Sequence, residues 1–173
     1  MVHEIRTARL RLRPLQLSDL ESVHEYAHDS ENTLYMYHLP REREETAAFL
    51  SDVTKEWEKD EPGFYEFAVE LDGALIGAVS VYLNDRRDSG YLGWILNRKY
   101  WRNGYATEAA TALRDFALHT LRLQKLIATC DARNAASSRV MEKIELALES
   151  DQGVRVYPKK NETARELTYS LIR

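Results

Sequence analysis

The sequence predicts a mixed α+β fold, a single domain over residues 1–173 in which a mostly antiparallel sheet of about seven strands is flanked by about four helices. Three observations lead there. Phe64–Leu71 and Ala74–Leu83 are apolar runs separated only by Asp72-Gly73, a dipeptide suited to the positive φ angles of a type I′ hairpin turn. A third run, Ser89–Leu96, follows the charged turn at 84–88 and extends the hairpin into an antiparallel meander. After Gly104 come apolar residues at helical spacing and then a short apolar strand, 125–130, which such a crossover lets pair in parallel with Ser89–Leu96.

The remaining elements follow in order. Residues 9–15 alternate Arg with Leu10 and Leu12, a half-buried strand that Pro14 keeps out of a central ladder. Ser18, with Glu21 three residues on, reads as the capping box of a helix whose apolar stripe is Leu20, Val23 and Ala27. Residues 32–40 are irregular yet rich in aromatic and apolar side chains, so they either wall a pocket or cover an edge of the core. A second helix over 42–59 carries Thr46, Phe49, Leu50, Val53 and Trp57 on one face, has Glu42, Glu44 and Glu45 at its positive end, and stops at Pro62-Gly63. Gly93, inside the third strand, marks a bulge or a close approach. The helix after Gly104 runs from small residues (Ala106, Ala109, Ala110) to large ones (Leu113, Phe116, Leu121), so its front end can pack closely. Asn134 caps a helix to Ile144 with Ser137 in its first turn, and residues 154–157 and 166–172 alternate as two last strands around a turn at 159–162.

Composition narrows the function classes. With 44% hydrophobic and 30% charged residues, the 173-residue chain is an ordinary globular one, long enough to bury roughly 70% of its unfolded surface. A net charge of -4 argues against a nucleic-acid binder working through a basic surface. No apolar run approaches the roughly 18 residues of a membrane span, and residues 1–13 lack the apolar core of a signal peptide, so no membrane partner and a cytoplasmic location are expected. The lone Cys130 sits in an apolar run and reads as a small buried hydrophobe.

Two motifs carry chemistry. In YWRNGYATEAA, Tyr100 to Ala110, an Asn-Gly turn feeds a helix whose first N–H groups lack intrahelical partners, a seat for an anion, although such joints often serve only to change direction. His24-Glu25-Tyr26-Ala27-His28 matches HExxH, which on a helix presents two imidazoles to zinc. Its helix is short with a wet face, and no third ligand is marked out, so no metal is expected.

Together, the order of elements and four stretches resemble one family, the GNAT N-acetyltransferases, and within it the Rim-type branch, named for enzymes that acetylate the N-termini of ribosomal proteins. The stretches are IRTARLRLRPL with Asp19 after it, GYLGWIL, YWRNGYATEA and NAASSRVMEKIEL, and the resemblance covers nearly the whole chain. It implies a GNAT acyl-CoA N-acyltransferase fold and acetyl-CoA as co-substrate. Backbone N–H groups of Arg102, Asn103, Gly104, Tyr105, Ala106 and Thr107 would hold the pyrophosphate. Backbone groups at Trp94, Ile95 and Leu96, on a bulged strand, would serve the pantetheine arm and the thioester carbonyl. Asn134 would touch the cofactor arm, and Ser137 holds the position from which Rim-type enzymes protonate the departing thiolate; the plainer alternative is a cap and a first-turn serine.

Three positions depart from the branch: Arg102 and Glu145 stand where glycines are usual, and Tyr91 replaces the strand glutamate that many members use as general base. The last bears on mechanism. The acceptor amine must be neutral to attack, and a lysine amine, at about 10.4 against about 7.8 for an α-amine, is harder to deprotonate at neutral pH by roughly 3.5 kcal/mol. The chain therefore leans toward an α-amine or another amine of low pKa, or toward proton loss through water. Glu66 could serve as base, but a solvated strand glutamate is its expected fate. The resulting expectation is direct transfer, without an acyl intermediate on Cys130, to a primary amine on a protein N-terminus or a small molecule, with a homodimer allowed. A catalytically degenerate coenzyme A module and an HExxH zinc hydrolase are the alternatives.

Overall fold

The structure is a computed structural model and describes residues 4–173. Its elements are β1 (Ile5–Arg6), β2 (Leu10–Pro14), α1 (Leu20–Ala27), α2 (Arg43–Trp57), β3 (Phe64–Leu71), β4 (Ala74–Leu83), β5 (Ser89–Leu96), α3 (Tyr105–Asp115), β6 (Lys125–Asp131), α4 (Ala135–Lys143), β7 (Ala147–Tyr157) and β8 (Glu162–Ile172). One eight-stranded sheet runs β1-β2-β3-β4-β5-β6-β8-β7. The extra strand is β1, two residues that pair with Leu12 and Arg11, and the final two strands are longer than their alternation suggested.

The hairpin turn forms with positive φ at both Asp72 and Gly73. One face of the sheet, with Leu12, Phe67, Val79 and Leu92, packs under Ala109, Ala110 and Leu113 of α3 and Met141 of α4. The small residues at the front of α3 allow that close approach. The other face, with Ala68 and Ala78, packs under Val23 and Ala27 of α1 and Leu50 and Val53 of α2. Both faces are thus covered, and a polar side chain on either can be buried. Among the described residues no helix is long and apolar enough to cross a membrane.

One local expectation changes. Ser18 is not a cap: it lies inside a 3-10 turn, Leu17–Asp19, where Gln16 and Asp19 form the capping box. The cause is Arg13, whose guanidinium grips Asp19 at 2.8 and 2.9 Å and fixes it at the start of α1. The end of α4 keeps the left-handed closure that glycine usually supplies, with Glu145 at φ +68 and bonds Glu145 N–H to Glu142 O and Leu146 N–H to Met141 O, both 3.0 Å.

The feature that matters for function is a parting of strands. β5 and β6 are parallel but share only the rungs Ser89↔Lys125, Gly90↔Leu126 and Tyr91↔Ile127. Beyond Tyr91, β5 stays in register with β4 as far as Gly77↔Leu96, while β6 stays with β8 as far as Asp131↔Glu166. A cleft therefore opens toward the C-terminal ends of β5 and β6, where α3 and α4 begin. Gly93 lies in unbroken register opposite Ser80 and is not a bulge; a Cβ there would meet Ser80 Oγ at 2.9 Å. The close approach, not the bulge, accounts for the glycine.

Candidate active site

Backbone alternation decides what the cleft presents. The Asn97 N–H donates to Ile76 O at 2.8 Å, so odd-numbered residues of β5 turn their peptide groups to β4 and even-numbered ones turn theirs into the cleft. Trp94 and Leu96 thus offer backbone groups there, whereas those of Ile95 lie on the β4 side and its side chain packs beneath α1 and α2. The Leu96 carbonyl accepts from Asn32 Nδ2 at 2.7 Å and Trp101 Nε1 at 2.8 Å, and Asn32 Oδ1 accepts from Arg98 N–H at 2.9 Å. On the opposite wall, Ala132 N–H donates to Arg165 O at 2.8 Å, which by the same alternation aims the peptides of Thr129 and Asp131 into the cleft. An extended ligand carrying amides can bond to both walls as a strand would.

At the mouth stands the N-terminus of α3. Gly104 caps it at φ +79. Arg102 also takes a left-handed φ of +64. Asn103 Nδ2 holds the turn by donating to Tyr100 O at 3.2 Å and Trp101 O at 2.9 Å. The N–H groups of Tyr105, Ala106 and Thr107 form the first turn, which no side chain of the N-cap closes. Sequence reasoning missed Arg9, which it read as half of an alternating strand. Its guanidinium lies 4.5 Å over the Tyr105 ring and donates to Asn103 O at 3.0 Å and to Glu108 at 2.7 Å.

The N-terminus of α4 opens at the same end of the sheet. Asn134 Oδ1 accepts the Ser137 N–H at 3.2 Å, the capping bond expected of it. Ser137 also reaches Cys130, which is buried and free, its thiol pushed up to about 11 chiefly by burial. A thiol so protonated is a poor nucleophile at neutral pH.

The face under α1 and α2 supplies the other half of the site. Of residues 32–40, Leu34, Tyr37 and Leu39 are exposed, so these side chains do not cover the core. Lys160 Nζ clamps the segment through the carbonyls of Thr33, Leu34 and Met36 at 3.1, 2.8 and 2.8 Å. Arg155 adds bonds to Tyr35 O at 3.1 Å and Tyr37 Oη at 2.9 Å. Asp131, held to about 2 mainly by the Arg133 guanidinium, accepts from Tyr157 Oη at 3.0 Å.

Glu66 corrects the expectation of a solvated glutamate. It is 7% exposed, and burial pushes its carboxyl up to about 7 against the opposing bonds from Tyr82 and Ser80 and the field of Arg41. Tyr82 Oη donates to it at 2.7 Å. Tyr82 lies directly across from Tyr91, and both rings are exposed, 40% and 51%.

The two histidines of HExxH are engaged elsewhere: His24 Nδ1 bonds Thr46 Oγ1 at 3.0 Å and His28 Nδ1 bonds Arg41 O at 2.9 Å. Lys99 pairs with Glu25 and holds its carboxyl below the usual range. Among the described residues no three His, Cys, Asp or Glu side chains are grouped to hold a metal.

Comparison with known proteins identifies the family. Residues 9–147 match the model of the acetyltransferase (GNAT) domain. An uncharacterized N-acetyltransferase of Bacillus subtilis, YnaD, is 30% identical over 97% of this chain and 96% of its own. The spermidine N(1)-acetyltransferase of Escherichia coli K12 is 29% identical over 82% of this chain and 75% of its own. A crystal structure of a GNAT-family acetyltransferase from Bacillus anthracis superposes with a TM-score of 0.87 at 31% identity, covering 98% of both chains.

Proposed function

The chain belongs to the GNAT acetyltransferase family, and on that premise we propose that it transfers the acetyl group of acetyl-CoA directly to a primary amine within a ternary complex. One observation carries the reading: the cleft between β5 and β6 opens at the end of the sheet where α3 and α4 both start, so peptide groups and two helix N-termini converge on one space. The donor set suits a thioester on a long amide-bearing arm ending in phosphates. Bound there, acetyl-CoA supplies the activated acyl group.

The chain's own groups do the rest. N–H groups from Arg102 to Thr107 receive the pyrophosphate, with the Arg102 side chain adding charge beside it. Trp94 and Leu96 present the backbone groups that hold the arm, and the Trp94 N–H stabilises negative charge developing on the thioester oxygen. Ile95, whose peptide groups turn to β4 and whose side chain packs beneath α1 and α2, leaves the arm to its two neighbours. Asn134 sits beside the arm at the start of α4, and Ser137 gives its hydroxyl proton to the departing thiolate. The acceptor enters over the exposed wall of 32–40, in the class of small amines such as polyamines or of protein N-terminal α-amines. Similarity to a spermidine acetyltransferase supports including polyamines.

Calorimetry with acetyl-CoA and thiol release over a panel of polyamines, peptides and aminoglycosides test the reading. Binding with turnover of at least one amine is expected. Absence of acetyl-CoA binding removes it, and binding with no turnover leaves a coenzyme A module in its place.

A further inference from the structure

At the β5 position where the family resemblance implies a carboxylate this chain has Tyr91, and a carboxylate stands close by on another strand. Tyr91 belongs to the last rung that β5 shares with β6, so its side chain marks where the cleft begins. Across the antiparallel β4–β5 pair it faces Tyr82, and Tyr82 Oη donates to Glu66 Oε1 at 2.7 Å. These side chains lie on the α1–α2 face, and that is the face from which an acceptor can approach, because α3 and α4 fill the other.

Resting on the acetyl transfer read above, we propose that Tyr82 takes the proton from the acceptor amine while passing its own hydroxyl proton to Glu66, so that the pair replaces the carboxylate absent at position 91. The exchange balances. An N–H bond of the acceptor ammonium breaks and a new O–H bond forms on Tyr82 Oη; the old Tyr82 O–H bond breaks and one forms on Glu66 Oε1. The products are a neutral amine, whose freed electron pair attacks the thioester carbon, an unchanged tyrosine and a neutral carboxyl.

The surroundings suit such a relay. The Tyr82 ring is stacked on Phe64 with centroids 4.7 Å apart and planes at 14°, which fixes the hydroxyl over Glu66. Gly93, in the same cross-strand row as Glu66 and Ser80, leaves no side chain between that row and the cleft. Four further groups act electrostatically or by hydrogen bond on the pair: Tyr26 from α1, Arg41 before α2, Glu56 from α2 near Tyr82, and Ser80 from β4. Burial among them pushes the Glu66 carboxyl up to about 7, the range in which a proton acceptor works best. Tyr82 is the group that meets the substrate, and Glu66 acts through it.

The test is the pH profile of kcat/KM for thiol release by the full chain, with spermidine and an alanine-initiated peptide as acceptors. Wild type should lose activity as pH falls through about 7, because a protonated Glu66 cannot accept. Glu66→Gln preserves shape and still accepts the Tyr82 bond, yet should lose roughly 100-fold together with that limb of the profile. Tyr82→Phe should do the same, and both should bind acetyl-CoA as wild type does. A wild-type profile and rate in either variant overturns the relay while leaving acetyl transfer standing. A wild type that binds no acetyl-CoA or turns over no amine overturns acetyl transfer, and the relay falls with it. Should the variants fail to fold, the Glu66 carboxyl followed by carbon NMR in the wild type decides: titration near neutrality supports the relay, and titration in the ordinary range of about 4.3 overturns it.

Discussion

Arg9 and Glu108 meet through two hydrogen bonds, from the Arg9 backbone N–H at 2.8 Å and its Nε at 2.7 Å. Thr7 Oγ1 adds a third bond to the same carboxylate at 2.6 Å. The segment before β2 is thereby fastened to the first turn of α3, and a carboxylate that would repel a phosphate there is offset by a guanidinium.

Arg9→Ala should accordingly weaken acetyl-CoA binding by about tenfold, or about 1.4 kcal/mol, through a looser α3 mouth and a Glu108 that has lost its counter-charge. Calorimetry measures it, and unchanged affinity would remove Arg9 from the site.

Gly104→Val combines a left-handed φ of +79 with a side chain whose Cβ would come within 3.4 Å of Arg9 Nη2. The backbone strain alone is about 1–2 kcal/mol. Asn134→Ala removes the α4 cap. Both variants should bind acetyl-CoA at least about tenfold more weakly, and full affinity in both contradicts the assigned cofactor site.

Glu145 holds the αL position after α4 without being a glycine. Its pair with Arg114 is at a side chain 76% exposed and contributes little. Glu145→Gly should therefore stabilise the protein by about 1 kcal/mol, read as a higher denaturant midpoint at unchanged slope. A lower midpoint would mean that the Arg114 contact outweighs the strain.

Glu66 also sets a pH dependence of stability. Its folded pKa, about 7, lies above the unfolded value of about 4.3, so between those values the folded state binds more protons than the unfolded one. Stability should fall as pH rises through that window and level off above it. In Glu66→Gln the fall should be absent, as urea titrations at several pH values would reveal.

Much of this architecture could be read from local patterns. Asp72-Gly73 between two apolar runs fixed the hairpin, and Gly104 before a stripe of alanines announced the close-packed helix with an open N-terminus. What escaped depends on contacts distant in sequence. Glu66 and Glu70 alternate with Phe67 and Val69 along β3, a pattern that signals a wet face when only one side of a sheet is covered. Here α1 and α2 cover that side too, so Glu66 is buried against Tyr82 and Glu70 is bridged by Arg11 and Arg13. Ser18 loses the cap position to a local contact that spacing does not show, the grip of the Arg13 guanidinium on Asp19.

The parting of β5 and β6 leaves the sheet as two ladders sharing three rungs, β1 to β5 on one side and β6, β8 and β7 on the other. A ligand whose amides bridge Trp94 to Thr129 supplies rungs that the polypeptide omits. In thermodynamic terms the cofactor is then a removable strand. Amide protons along β5 and β6 beyond Tyr91 should exchange with solvent far more slowly once it is in place, making hydrogen exchange a direct gauge of how fully the sheet has been closed.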